Sequence, residues 1–253
     1  MKIFPIGTSR LHEPLSLFVN ENSVSFPGMG YFHSSSQVVD IIKILTGDVN
    51  IDNEAAKFFF RKDQTPENKF DLSLWNNNYL SSIARISDLL KHSNILIIEV
   101  CTPRSYKFNN IHLQGNPNFY QNISYADIWK QSYYEKFNPE LDVAIYDDFN
   151  KVDENIKYIN EYLIKQNKYA IILGHLLNPT NPNIGRRNNN QSLINAINNI
   201  RSTRIKYYDP QELVSEFGFR ILADGSLDIH HLPWDGLLKE ATEMQYLINT
   251  FSA

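Results

Sequence analysis

Apolar residues follow two rhythms along this chain. Four short runs, residues 3–6, 95–100, 169–173 and 205–208, are apolar at nearly every position. Each ends at a turn signal: Gly7-Thr8, Thr102-Pro103, Gly174 and Asp209-Pro210. Runs that are apolar on both faces suit the strands of a parallel sheet covered by helices. Between them the apolar positions recur at helical spacing. Residues 35–45 carry Val38, Val39, Ile41, Ile42 and Leu45, and residues 79–91 carry Leu80, Ile83, Ile86, Leu89 and Leu90. Residues 152–165 carry Ile156, Ile159, Tyr162 and Leu163, residues 192–200 carry Leu193, Ile194, Ile197 and Ile200, and residues 237–251 close the pattern. Alternation of this kind predicts a three-layer α/β/α sandwich with a mostly parallel, flavodoxin-like central sheet. Residues 1–253 read as one domain.

Two stretches break the alternation. Residues 104–150 are too long for an ordinary crossover. They are rich in aromatics such as Tyr106, Phe119, Trp129 and Tyr133, and only weakly periodic. They predict an insertion or lid, a loop in its first half with a short helix at 125–136. Residues 47–74 are mostly polar and predict a second excursion.

Composition narrows the function classes. With 42% hydrophobic and 13% aromatic residues, an intrinsically disordered chain is excluded. Lys plus Arg number 24 against 28 Asp plus Glu, a formal net charge of -4, so there is no global electrostatic footprint for nucleic acid or anionic membrane. No window approaches the roughly 18 apolar residues of a membrane span, and no long apolar segment marks a signal peptide. The single cysteine, Cys101, rules out an intrachain disulfide and a multi-cysteine metal site. It fits a reducing compartment, and the expected location is the cytoplasm.

Ligands of open α/β sheets bind outside the carboxyl ends of the strands, so the residues following each strand are the candidates. Ser9 and Arg10 follow the first run, Arg104 the second, and His175 and Asn178 the third. Ser9 on a strand-to-helix turn is either a nucleophile backed by backbone N–H groups or an ordinary helix cap. Asp228 and His231, three apart before the last helix, offer a base with its orienting carboxylate, and His230 is the competing base. Arg10 suits either an anionic substrate group or an acidic partner, and Arg104 suits a ligand contact at the same edge. Glu99, near the end of a buried strand, needs a partner such as an arginine. Arg186-Arg187 read as a basic loop. Cys101 reads as core rather than nucleophile. The spacing of His33, His175, His230 and His231 fits no HExxH-type pattern, and no metal site is expected.

The arrangement of Ile6-Gly7-Thr8-Ser9-Arg10 after the first strand and Asp228-Ile-His230-His231 before the last helix resembles the SGNH (GDSL-like) hydrolase superfamily. Residues 208–231 look like the closing segment of GSCFA-like and related SGNH-like bacterial domains. The resemblance implies Ser9 as nucleophile and oxyanion donor, His231 as base and Asp228 as its orienter. It implies a second oxyanion donor in the block Phe26-Pro-Gly28-Met-Gly30, with Gly30 first and Gly28 second. The family's G-x-N-D block is altered here to Gly174-His175-Leu-Leu-Asn178, leaving His175 or Asn178 for the oxyanion role. The implied activity is an acyl-ester hydrolase (esterase or acetylesterase) or O-acyltransferase on an acylated carbohydrate or similar small ester. No cofactor is implied, although a transferase would need an acyl donor such as acetyl-CoA. The alternative is a non-catalytic module that binds a glycan or a partner protein. A Rossmann-type nucleotide site is disfavoured by the lack of G-x-G-x-x-G and of a P-loop.

Overall fold

A computed structural model describes residues 1–18, 24–27, 29, 32–52, 56, 79–108, 111–113, 144–147, 149–180 and 183–251. Four parallel strands, β1 (Ile3–Ile6), β2 (Ile95–Glu99), β6 (Tyr169–Leu173) and β7 (Ile205–Tyr208), form one sheet in the order β1-β2-β6-β7. Beyond β1 a parallel bridge joins Ile3 to Val24, and the Ser25 N–H donates to the Ile3 carbonyl at 2.8 Å. With that bridge counted, the five chain segments run 2-1-3-4-5, the flavodoxin-like order.

The strands are apolar at nearly every position because both faces are covered. Phe4, Ile6, Leu96, Ile98, Ala170 and Ile172 face a core built with α2 (Ser35–Thr46), α3 (Tyr79–His92), α4 (Val152–Lys165) and α5 (Ile184–Ile200). Their alternate neighbours Ile3, Ile95, Ile97, Ile171 and Leu173 face Leu11 and Leu15 of α1 (Ser9–Ser16) and Ala241, Met244 and Ile248 of α7 (Trp234–Asn249). The period of two along each strand therefore sorts one continuous apolar run into two cores. Each fully buried Ile or Leu contributes roughly 1.5–3 kcal/mol. The result is the expected three-layer α/β/α sandwich.

Elsewhere the polar segments behave differently from expectation. The stretch 104–150 contains strand where its first half predicted loop. There β3 (Arg104–Phe108) pairs antiparallel with β4 (Ile111–Leu113) and with β5 (Ala144–Asp147). The helix expected at 125–136 lies outside the described residues, as does most of 47–74. Helix α5 starts eight residues before the expected 192, so Arg186 and Arg187 stand in its first turn, not on a loop. Asn183 caps it by accepting from the Arg186 N–H at 3.1 Å. A short α6 (Gln211–Phe217) and a small hairpin, β8 (Arg220–Ile221) with β9 (Leu227–Asp228), precede α7. Among the described residues, no helix is long and apolar enough to cross a membrane.

Candidate active site

The turn after β1 is held from below by one buried carboxylate. Glu99, 1% exposed at the end of β2, accepts from the Thr8 N–H at 2.9 Å, the Thr8 hydroxyl at 2.5 Å and Arg10 Nε at 2.5 Å. Burial alone would raise its pKa, but Arg10 and the Thr8 hydrogen bond outweigh that and hold it below the ordinary value. Thr8 is the N-cap of α1. Its side chain makes no capping bond, being committed to Glu99. Ser9 is therefore the first residue of α1 rather than its cap, beside N–H groups that have no partner within the helix. Gly7 is required here, since a Cβ would lie 2.8 Å from the Glu99 Cβ and 2.9 Å from Leu11.

Arg10 supplies the arginine that Glu99 was expected to need, and it is engaged on every side. Its Nη1 lies 3.1 Å from His175 Nε2, and its Nη2 lies 2.9 Å from Cys101 Sγ. Burial opposes the guanidinium charge, yet Glu99 more than compensates and keeps its pKa above the ordinary value. Burial, then Glu99, pushes the Cys101 thiol up to about 12, so at neutral pH it is a protonated core group and not a nucleophile. His175 is buried, with Nδ1 on the Leu176 carbonyl and Nε2 on Arg10. Burial, followed by Arg10, depresses its pKa well below the ordinary value. A neutral ring that donates from Nδ1 and accepts at Nε2 satisfies both contacts. Its backbone is fixed by Asn190, which accepts from the His175 N–H at 3.0 Å and donates to its carbonyl at 2.8 Å.

The opposite wall comes from the hairpin and the loop into α7. His231 Nε2 lies 2.9 Å from Ser9 Oγ, across 222 residues of chain. His231 Nδ1 lies 2.7 Å from Asp228 Oδ2. Asp228 ends β9 and also accepts from the His230 N–H at 3.0 Å. Burial works against its charge, but the hydrogen bonds from His231 and the His230 N–H keep its pKa below the ordinary value. An ionised Asp228 only accepts, so His231 Nδ1 carries the proton and Nε2 accepts from the Ser9 hydroxyl. His230 lies elsewhere: its ring is edge-on to His175 at 5.5 Å, and its buried Nδ1 has no hydrogen-bond partner among the described residues. Burial, aided by Arg10 and Arg186, lowers its pKa to about 4, so it is neutral.

Between the walls is a small pocket bordered by Arg10, Glu99, His230, His231 and Glu240, with apolar sides from Leu176 and Leu237. Glu240 of α7 is buried, and nothing in its own sequence context marks it as part of a site. Burial, with Glu99 and Glu243 adding to it, raises its pKa to about 8, so at neutral pH it is largely a protonated donor.

Asn178 and Arg104, also expected, do not converge here. Asn178 turns back on its own loop, accepting from the Thr180 N–H at 3.0 Å and its hydroxyl at 2.8 Å. Arg104 is exposed at the start of β3, and neither residue borders the pocket. Gly30 and Gly28 lie outside the described residues. Of the residues expected from strand ends and from the Asp228-x-x-His231 spacing, Ser9, His175, Asp228 and His231 lie together here; Glu240, which no sequence signal singled out, comes beside them once α7 is placed.

No curated protein and no solved structure matches the chain. A family model does, and the family it describes differs in name from the SGNH-like resemblance of the motifs. The match runs over residues 1–140, which include Ser9, Arg10 and Glu99 but stop short of Asp228 and His231. It covers more than half of the 253 residues, and the chain belongs to the TviD N-terminal domain family.

Proposed function

We propose that this protein is a serine-dependent acyl-transfer enzyme with Ser9 as nucleophile, His231 as base and Asp228 as its orienter. The observation that carries the reading is the unbroken line from Ser9 Oγ to His231 Nε2 at 2.9 Å and from His231 Nδ1 to Asp228 at 2.7 Å. Membership of the TviD N-terminal domain family supports an O-acetyltransferase-related role. In this reading the substrate is an O-acyl ester of a carbohydrate or a similar small ester, as in the SGNH-like enzymes the motifs resemble.

The chemistry proceeds in two halves. His231 Nε2 takes the Ser9 proton while Oγ attacks the ester carbonyl carbon. The oxyanion that forms is stabilised by the N–H groups opening α1. The carbonyl re-forms as the bond to the leaving alcohol breaks, and His231 returns its proton to that oxygen. The acyl-enzyme is then attacked by a hydroxyl, whose proton His231 accepts and passes back to Ser9. A sugar hydroxyl as acceptor gives transfer, and water gives hydrolysis.

The test is intact-mass analysis after incubation with a fluorophosphonate, comparing the native protein with Ser9→Ala. One adduct on the native protein and none on the variant supports the reading. No adduct on folded native protein overturns it and favours a module that binds a glycan or a partner without chemistry.

A further inference from the structure

Arg220 opens β8 directly opposite Asp228 of β9. Its backbone N–H donates to the His231 carbonyl at 2.9 Å, and its Nε donates to the Leu232 carbonyl at 3.3 Å. The rest of the guanidinium crosses to α1. Nη1 reaches Glu13 Oε1 at 3.4 Å, and Nη2 bonds Glu13 Oε2. Glu13 stands one helical turn beyond Ser9, on the same face of α1. Its Oε1 comes within 4.0 Å of His231 Nε2, the atom that meets Ser9. One residue thus ties the His231–Leu232 segment to the Ser9 helix.

We infer that Arg220 is a positioning residue that holds His231 Nε2 on Ser9, tying the hairpin to α1 and occupying the Glu13 carboxylate that would otherwise compete for that nitrogen. This rests on the Ser9–His231–Asp228 reading for its catalytic meaning, but its geometric content stands independently. Two effects follow from its loss. The tie between the two elements goes, and a bare carboxylate is left beside His231. A carboxylate attracts an Nε2–H, favouring the ring form that no longer accepts from the Ser9 hydroxyl.

The test compares R220M, R220K and the double variant R220M/E13Q. Three quantities are read: the rate of fluorophosphonate labelling, the thermal midpoint, and the ring nitrogen signals of His231 by ¹⁵N NMR, assigned with His231→Gln. R220M is expected to label on the order of tenfold to a hundredfold more slowly, the scale of a displaced reacting group. Its midpoint moves by no more than about 4 °C, because the ion pair is part-exposed. The His231 signals shift toward Nε2 protonation. R220M/E13Q recovers part of the rate, since the competing charge is gone, and R220K falls between R220M and the native protein. If R220M does not fold, R220Q reads the same quantities, keeping a donor for Leu232 but no charge for Glu13. Native-like labelling and His231 signals in R220M overturn the inference, as does a double variant no faster than R220M. If native protein takes no probe yet R220M still moves the His231 signals, the catalytic reading fails and the positioning role stands.

Discussion

Ser9 stands on a turn whose anchor, Glu99, is 1% exposed, whereas Asp228 ends a two-residue strand whose partner strand carries Ile221 at 71% exposure. On the nucleophile side, Thr8, His175 and Cys101 are all buried, and each polar contact is made inside the sheet edge. On the base side, the hairpin contributes Leu227 at 52% exposure, and beyond its own short pairing it is fastened to α1 through Arg220 and Glu13. Buried polar networks are costly to break because a stranded charge has no water to turn to. Partly exposed ones are cheap to break but set geometry all the same. The two halves therefore divide the labour. On the proposed reading, the Ser9 side belongs to the stability of the fold, and the His231 side belongs to the geometry of the reaction.

Substitutions that inactivate without unfolding, or unfold without touching the Ser9–His231 line, test that division. The largest effect is expected from Asp228→Asn, which keeps the shape but lets the side chain donate and so upsets the His231 ring form. Fluorophosphonate labelling falls roughly a thousandfold to ten-thousandfold, with the thermal midpoint nearly unmoved. Labelling at the native rate breaks the comparison on the base side. Next comes Glu99→Ala, which leaves the Arg10 guanidinium buried without its carboxylate. Stability falls by about 3–5 kcal/mol, seen as an earlier urea midpoint. A midpoint like that of the native protein would mean the network contributes nothing to stability.

Glu240 gives a pH test of the pocket between the two sides. Its pKa is raised from 4.5 to about 8. Between those values the folded protein holds a proton that the unfolded chain has released, so this group's contribution to stability declines as pH rises through the window and levels off above it. Glu240→Gln should therefore unfold later than the native protein at pH 8, by an amount on the order of a few kcal/mol, and the difference should close toward pH 4. A gap that does not vary with pH excludes a buried, proton-holding Glu240. The smallest contrast pairs Gly174→Ala with Ile221→Thr. The first drives a Cβ into the Asn190 carboxamide and costs about 1–3 kcal/mol. The second, on the exposed hairpin, changes stability by less than about 0.5 kcal/mol in chemical denaturation. Equal costs would erase the difference between the two sides.

The four central strands were legible because burial on both faces leaves them apolar at nearly every position. The small antiparallel sheet was not legible. Its strands are three to five residues long and mix Arg104, Ser105, Lys107 and His112 with apolar neighbours, a pattern that loops share. The start of α5 was hidden by Asn188, Asn189 and Asn190, residues with weak helix preference. Tertiary contacts override that preference. Asn189 donates to the Val100 carbonyl at 3.0 Å, and Asn190 braces His175. In the site, Ser9 and the Asp228-x-x-His231 spacing were legible because strand ends and local spacing are sequence properties. The need of Glu99 for an arginine was legible from burial. Its grip on Thr8 was not, nor were the approach of Glu13 to His231 and the place of Glu240. Each of these depends on how helices from opposite ends of the chain lie side by side.

Ser9 and His231 meet across 222 residues. Chains are made from the amino end at about 5–20 residues per second, so on the order of ten to forty seconds separate the emergence of the serine from that of its histidine. Throughout that interval the serine waits without the group that takes its proton. On the proposed reading, a growing chain stays silent toward esters until the segment that carries His231 has folded back. Capture of a fluorophosphonate would then report synthesis through His231 and its folding back, and no truncated product ending before His231 would carry the label.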